Sequence, residues 1–247
     1  MSAVDPRFAA VAAELGIGDL DLPSFTDAEL AAASDRPSVA PLLEGLDEQA
    51  RAAAIAEGRR SLQERGFLEG DEPVEDLRAI LTIRSEPTFV GIADALGRER
   101  RSLYLYGLAG VGVLTECADG DVHEFALRSV ESAASLLVDE ADPDGRAGED
   151  GPLVHGSNGD TPEGIEEAEH AIATAEHVLR LFVSVRAGPE EVQEFDVSVA
   201  TGPDGVWFVS GHRDPDGEGE VWARRLGRPS LEVAFASLLS GPVVVPT

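Results

Sequence analysis

Val206-Trp207-Phe208-Val209-Ser210, the turn Asp214-Pro215-Asp216-Gly217, and Val221-Trp222-Ala223-Arg224-Arg225-Leu226 read in that order as a β-hairpin. Apolar runs rich in β-branched and aromatic residues, joined by Asp, Pro and Gly, are what two antiparallel strands and their turn require. Ser230 then offers an N-cap to an apolar helix that ends Ala236-Ser237-Leu238-Leu239. The same order stands earlier in the chain. Val111-Gly112-Val113-Leu114-Thr115 leads to Asp119-Gly120, Val122 to Leu127 returns, and Ser129 opens a helix ending Ala134-Ser135-Leu136-Leu137. The copies are offset by 95 residues at Gly110 and Gly205 and by 102 at the Ala-Ser-Leu-Leu tetrads, so the second hairpin is longer by seven. Two such cassettes predict an α+β fold of mixed or antiparallel sheets with packed helices, in two pseudo-repeated hairpin–helix halves.

The rest of the chain extends this pattern. Phe89 to Ile92 and Leu103 to Leu108 add strands before the first hairpin, giving an antiparallel meander. Val192 to Ala200 alternates Phe195, Val197 and Val199 with Glu194, Asp196 and Ser198, and so does the same for the second. Helices are expected from Asp5 to Leu15, after the capping box Thr26-Asp27-Ala28-Glu29, from Leu46 to Arg65 with Gly66 as its stop, and from Val74 to Leu81. Residues 38–43 read as extended. A further helix begins at Pro162 with Ile165, Ala168, Ile172, Ala175 and Leu179 as its buried stripe. Residues 140–161 are rich in Asp, Gly, Glu and Pro and poor in apolar groups, and read as a mobile acidic linker. The expected organisation is a single domain, 1–247: a first half 1–139, the linker 140–161, a second half 162–241 and a short tail 242–247.

The 247 residues carry 47 acidic and 19 basic side chains, a net charge of −28, and every basic one is arginine. An Ala-, Gly- and Arg-rich chain without lysine is what a GC-rich genome encodes, the favoured reading, and its acidity also fits a cytoplasm rich in salt. Such a charge argues against general binding to nucleic acid or to an anionic membrane, both of which need a basic face. The apolar fraction of 43% is enough for a core. Cys117 is the sole cysteine, which excludes an internal disulfide and a Cys-rich zinc site. The start Met1-Ser-Ala-Val-Asp lacks a basic and an apolar leader region, so a cytoplasmic protein is expected.

Catalytic patterns are sparse. Glu167-Ala168-Glu169-His170 has the Glu-x-x-His spacing of di-iron bundles, but such a site needs a second copy, and the chain has none. His170 and His177, seven apart on one expected helix, read as surface histidines among glutamates. His123, His155 and His212 have no neighbours in sequence that make them general bases. The glycines from Gly107 to Gly112 lie between strands, without lysine or a following helix N-terminus, and read as close strand packing. No cofactor, metal or catalytic residue is expected. Apolar bulk for a partner is concentrated in Phe195, Trp207 and Trp222 of the second half. Trp207 and Phe208 are adjacent and must point to opposite sheet faces.

Leu46-Asp47-Glu48-Gln49-Ala50 to Arg59-Arg60-Ser61-Leu62-Gln63-Glu64-Arg65-Gly66-Phe67-Leu68 resembles the helix ending Leu-x-x-Arg-Gly-Leu of the EspG family, the cytosolic chaperones of type VII secretion in actinobacteria. The order around it is similar: an opening segment Phe25 to Leu30, a helix Val74 to Leu81, a break at Pro87, strands, a helix, and a second α/β half ending in an Ala-Leu-Leu helix. The resemblance spans roughly residues 20 to 241. The opening segment departs from the family in having no tryptophan. The resemblance implies a non-enzymatic binder of secreted helical heterodimers of the proline-glutamate class, handing them to a secretion ATPase. A second reading takes the charge as primary: an acidic accessory or decoy protein that occupies a basic partner, with nucleic-acid mimicry as one form of it.

Overall fold

The computed structural model describes residues 20–34, 43, 45–96, 102–108, 112–157, 165–186, 192–213 and 219–240. The first half comprises β1 (Leu20–Thr26), α1 (Asp27–Ala33), α2 (Glu48–Glu64), a small hairpin β2 (Leu68–Glu69) and β3 (Glu72–Pro73), and α3 (Glu75–Ser85). The meander β4 (Phe89–Leu96), β5 (Ser102–Leu108), β6 (Gly112–Asp119) and β7 (Val122–Arg128) follows, closed by α4 (Val130–Ala141). The second half is β8 (Leu153–Ser157), α5 (Ile165–Ala173), β9 (His177–Arg186), β10 (Val192–Gly202), β11 (Gly205–Arg213), β12 (Gly219–Arg225) and α6 (Arg228–Leu239). The expected Asp5–Leu15 helix, most of the 38–43 segment, the 214–217 turn and the 242–247 tail lie outside the described residues.

Ten of the strands form one sheet in the order β1-β7-β6-β5-β4-β9-β10-β11-β12-β8. Every pairing in it is antiparallel. The expected α+β class holds, and the repeat is larger than the two cassettes. Each half runs edge strand, helical segment, four-stranded meander, helix, the helical segment being three helices and a small hairpin in the first half and α5 in the second. The halves meet where β4 pairs with β9, from Phe89 opposite Val185 to Leu96 opposite Val178. The outer strands correspond as well: β1 borders β7 and β8 borders β12.

The repeat is not in the register its letters suggest. α4 and α6 each have 12 residues, and their starts lie 98 positions apart, not the 102 that separate the tetrads. The tetrads therefore sit one turn out of step, and fall on similar faces because about 3.6 residues make a turn. Nor does α6 begin at Ser230. Pro229 presets the first turn, Gly227 is the N-cap, and the caps come from elsewhere: Asp150 accepts the Gly227 N–H at 2.7 Å and the Ser230 hydroxyl at 2.7 Å.

That contact corrects the linker. Residues 142–152 are a fitted strap. Asp142 is buried and accepts the N–H groups of Arg146 and Ala147 at 2.8 Å each. Gly151 donates to the Arg225 carbonyl and accepts from Arg224 Nε. The strap then becomes β8, the edge strand corresponding to β1. Its polar residues are spent on backbone groups within the protein, which composition alone cannot reveal. The helix expected from Pro162 also ends early, at Ala173. Glu176 N–H bonds to the Thr201 carbonyl, and Leu179 is a strand residue.

Alternation along the strands gives the sheet two apolar faces. On one, Leu105, Val113, Leu181, Val183, Val197, Val199 and Val206 lie beneath α4 and α6, which pack against each other. Small residues Ala133, Ala134 and Ala141 of α4 complement Leu231, Phe235 and Leu238 of α6. On the other face Tyr106, Leu114 and Phe125 lie beneath Phe25, Leu30, Leu62, Leu77 and Ile80 of β1 and α1–α3. The Leu46–Arg65 expectation is met by α2, with Gly66 at φ 77° beyond its end. α1 crosses α2 so closely that a Cβ on Gly58 would stand 2.3 Å from the Ala28 carbonyl oxygen. Only glycine fits there.

Candidate functional site

The three aromatic residues singled out in the sequence do not share a surface. Phe195 stands opposite Val183 on β9 and packs against the core under α4 and α6. Trp222, opposite Ser210, is on that same face, half-buried and stacked on His155 with ring centroids 5.3 Å apart. Trp207 is opposite Ala200 on the other face and is half-buried too. Phe208 points away from it and meets Phe235 edge-on at 6.1 Å. Strand alternation thus holds, and it is what divides the cluster.

A second candidate is a cluster of ionisable groups assembled from three strands and two helices. His123 of β7 lies between Glu116 Oε1, 2.6 Å from its Nδ1, and Asp27 Oδ1, 2.7 Å from its Nε2. Arg84 of α3 approaches Glu116 Oε2 at 3.1 Å, and the Tyr106 hydroxyl donates to that oxygen at 2.9 Å. Asp27 reaches the cluster because it is the first residue of α1, fixed by the capping box of Thr26 and Glu29. Burial by itself pushes His123 down, but the carboxylates of Glu116 and Asp27 outweigh it and hold it above the ordinary histidine value. Burial and Glu116 push the Tyr106 hydroxyl up. Arg84 and, when it carries its proton, His123 face the two carboxylates of Glu116 and Asp27. Glu116 is 0% and His123 2% exposed, so this acid–base pair has no path to a substrate. It is a joint between layers. The sequence showed His123 beside Glu124 and gave no sign of Asp27, 96 residues away.

The other histidines are dispersed. His170 is exposed on α5, whereas His177 lies on β9, 3.3 Å from Asp144, in a group with Glu176 whose positive charge comes from Arg146, 2.7 Å from Glu176. A cavity of about 210 Å³ opens beside α4, with Cys117, Leu103 and Leu136 in its wall and Asp21, Glu124 and Arg128 among its polar lining. The glycine-rich stretch behaves as expected at Gly107, where a Cβ would meet the Phe89 ring at 2.1 Å.

An exposed apolar group lies on the sheet itself. On the face away from α4 and α6, α3 lies over β5, and Arg84 extends it to β6. α5 crosses β10, β11 and β12, where Ala200 and Ala223 are buried. Between these helices β4 and β9 carry Ile92, Leu96 and Phe182, exposed by 36%, 45% and 41%, three of the seven large exposed apolar side chains among the described residues. Ile92 and Phe182 are direct cross-strand neighbours, with Tyr104 beyond Ile92, and Leu96 neighbours Val178. Asp94 and Arg180 lie between the two apolar rows, and the exposed Glu194 and Asp196 of β10 border Phe182's side. Two strands at about 4.8 Å spacing make an opening of about 10 Å, the width of one helix.

No helix among the described residues is long and apolar enough to cross a membrane. No protein-family model matches the chain, and no curated protein matches it in sequence.

Proposed function

We propose that this protein is a non-enzymatic cytosolic chaperone or adaptor of the EspG kind, which holds helical type VII secretion substrates of the proline-glutamate class by protein–protein contacts. One observation carries the reading. A sheet buried under helices on its other face leaves β4 and β9 bare here, with Ile92, Leu96 and Phe182 standing in solvent. Large apolar side chains grouped on a rigid sheet are a preformed surface for a partner. The sealed His123–Glu116 pair supports a binding rather than a catalytic role.

The net charge of −28 favours the second reading, a decoy for a basic partner. Salt separates the two. Co-expression with the helical substrates encoded nearby, followed by size-exclusion chromatography, should give a complex that persists at 0.5 M salt, about a 4–5 Å screening length. Loss of the complex at moderate salt, with steep dependence of affinity on ionic strength, replaces the chaperone by the decoy. Absence of any complex with those substrates removes the chaperone reading.

A further inference from the structure

We infer that the bare β4–β9 strip is the seat of a single amphipathic helix from another protein, with basic residues along the edge that faces β10. The inference rests on the chaperone reading for the kind of partner, and on the geometry of the strip for the rest. β4 and β9 lie in the middle of the sheet, each with both edges already paired, so no strand can be added there. Among the described residues α3 covers β5 and α5 covers β10 to β12 on that face, and the interval left between them is about one helix wide. β4 has eight residues, about 26 Å at 3.3 Å per residue, the length of a helix of about 18 residues.

Charge selects the occupant. A second copy would bring another −28 to the same face. The β10 border presents Glu194 and Asp196, both exposed, and α5 beyond it adds the exposed Glu166, Glu167 and Glu169. Arg180 is the cation of the strip, placed between its apolar rows and not on the β10 edge. A helix with an apolar stripe over Ile92, Leu96 and Phe182 and arginines toward β10 meets both features. One with glutamates at those positions is repelled.

Two synthetic helical peptides of about 18 residues test this, identical in their leucine stripe and carrying either arginine or glutamate along one flank. Calorimetric titration into the full chain should show binding of the arginine peptide only. Phe182→Ser and Leu96→Ser, both at exposed positions, should each weaken it by about tenfold or more, with unchanged melting temperatures. Asp196→Arg should weaken it less, by an amount that disappears in high salt. Equal binding of the two peptides, or unchanged affinity for both serine variants, overturns the seat. The co-expressed secretion substrates, assayed with the same variants, separate the two claims. Substrates held equally by wild type and variants keep the chaperone and remove the seat. Arginine-peptide binding that follows the prediction, without substrate binding, keeps the seat and removes the chaperone.

Discussion

On the face of the sheet turned away from α4 and α6, the first half lies under three helices and the second under one. The two meanders have the same order of strands and end in helices of the same length, so the difference comes from what precedes them. In the first half α1, α2 and the small hairpin intervene between the edge strand and α3. In the second, α5 alone stands between β8 and β9 among the described residues. The added layer brings buried charge with it: Asp27, Glu29, Glu116, His123 and Arg84. The second half keeps small residues, Ala200 and Ala223, beneath its one helix. The first repeat has spent β5 to β7 on internal structure. The strip left free runs along the seam, on β4 of the first repeat and β9 of the second.

If the ionic joint holds the added layer, breaking it should be the largest single effect in the molecule. His123→Ala leaves Glu116 and Asp27 without their shared cation, and removing one partner of a buried pair costs about 3–5 kcal/mol. Urea denaturation should show that loss, and a loss below 1 kcal/mol would mean the layer is held by apolar contacts alone. Phe182→Ser, on the bare strip, should change stability by less than about 0.5 kcal/mol.

The same joint sets a pH dependence. His123 binds its proton more tightly folded than unfolded, so its stabilisation is complete below the unfolded value of about 6.5 and is lost as pH rises through the folded one. Glu29 acts in the opposite sense. Burial would raise it, but Arg65, Ser61 and the Thr26 N–H outweigh that and hold it below the ordinary value. Its contribution is present above about pH 4.3 and is lost as pH falls through its folded value. Stability measured against pH should therefore decline above about 6.5 in wild type, and the decline should be smaller in His123→Ala. Equal slopes would remove His123 from the joint.

A smaller effect concerns the strap between the halves. Asp142→Ala orphans the N–H groups of Arg146 and Ala147, at a cost of about 1–3 kcal/mol. Limited proteolysis should then cut within 142–152 in the variant and not in wild type. Early cutting there in wild type would restore a loose linker.

The strands of both meanders, the capping box at Thr26 and the long helix before Gly66 were legible because each is written in local periodicity or local hydrogen bonding. β8 and the strap were not. Leu153 to Ser157 is short, and Asp142 and Asp150 look like any acidic loop until the carbonyls and amides they serve are in place. α5 ends short of its expected stripe because Ile172, Ala175 and Leu179 keep helical spacing across a boundary set by tertiary pairing, Glu176 to Thr201. Of the site, the sequence marked the aromatic residues of β10–β12 as partner contacts, and the sheet puts them on two faces. Ile92 and Phe182 carry no local signal in the sequence, because their exposure depends on which strands two helices cover.

Solvent-accessible carbene footprinting of the co-expressed complex, read by mass spectrometry against the free protein, tests the central claim most directly. Protection concentrated on Ile92, Leu96 and Phe182, with Trp222 and Val233 labelled equally in both states, is the result this account predicts. Protection at Trp222 and His155 with the β4–β9 strip still labelled would contradict it.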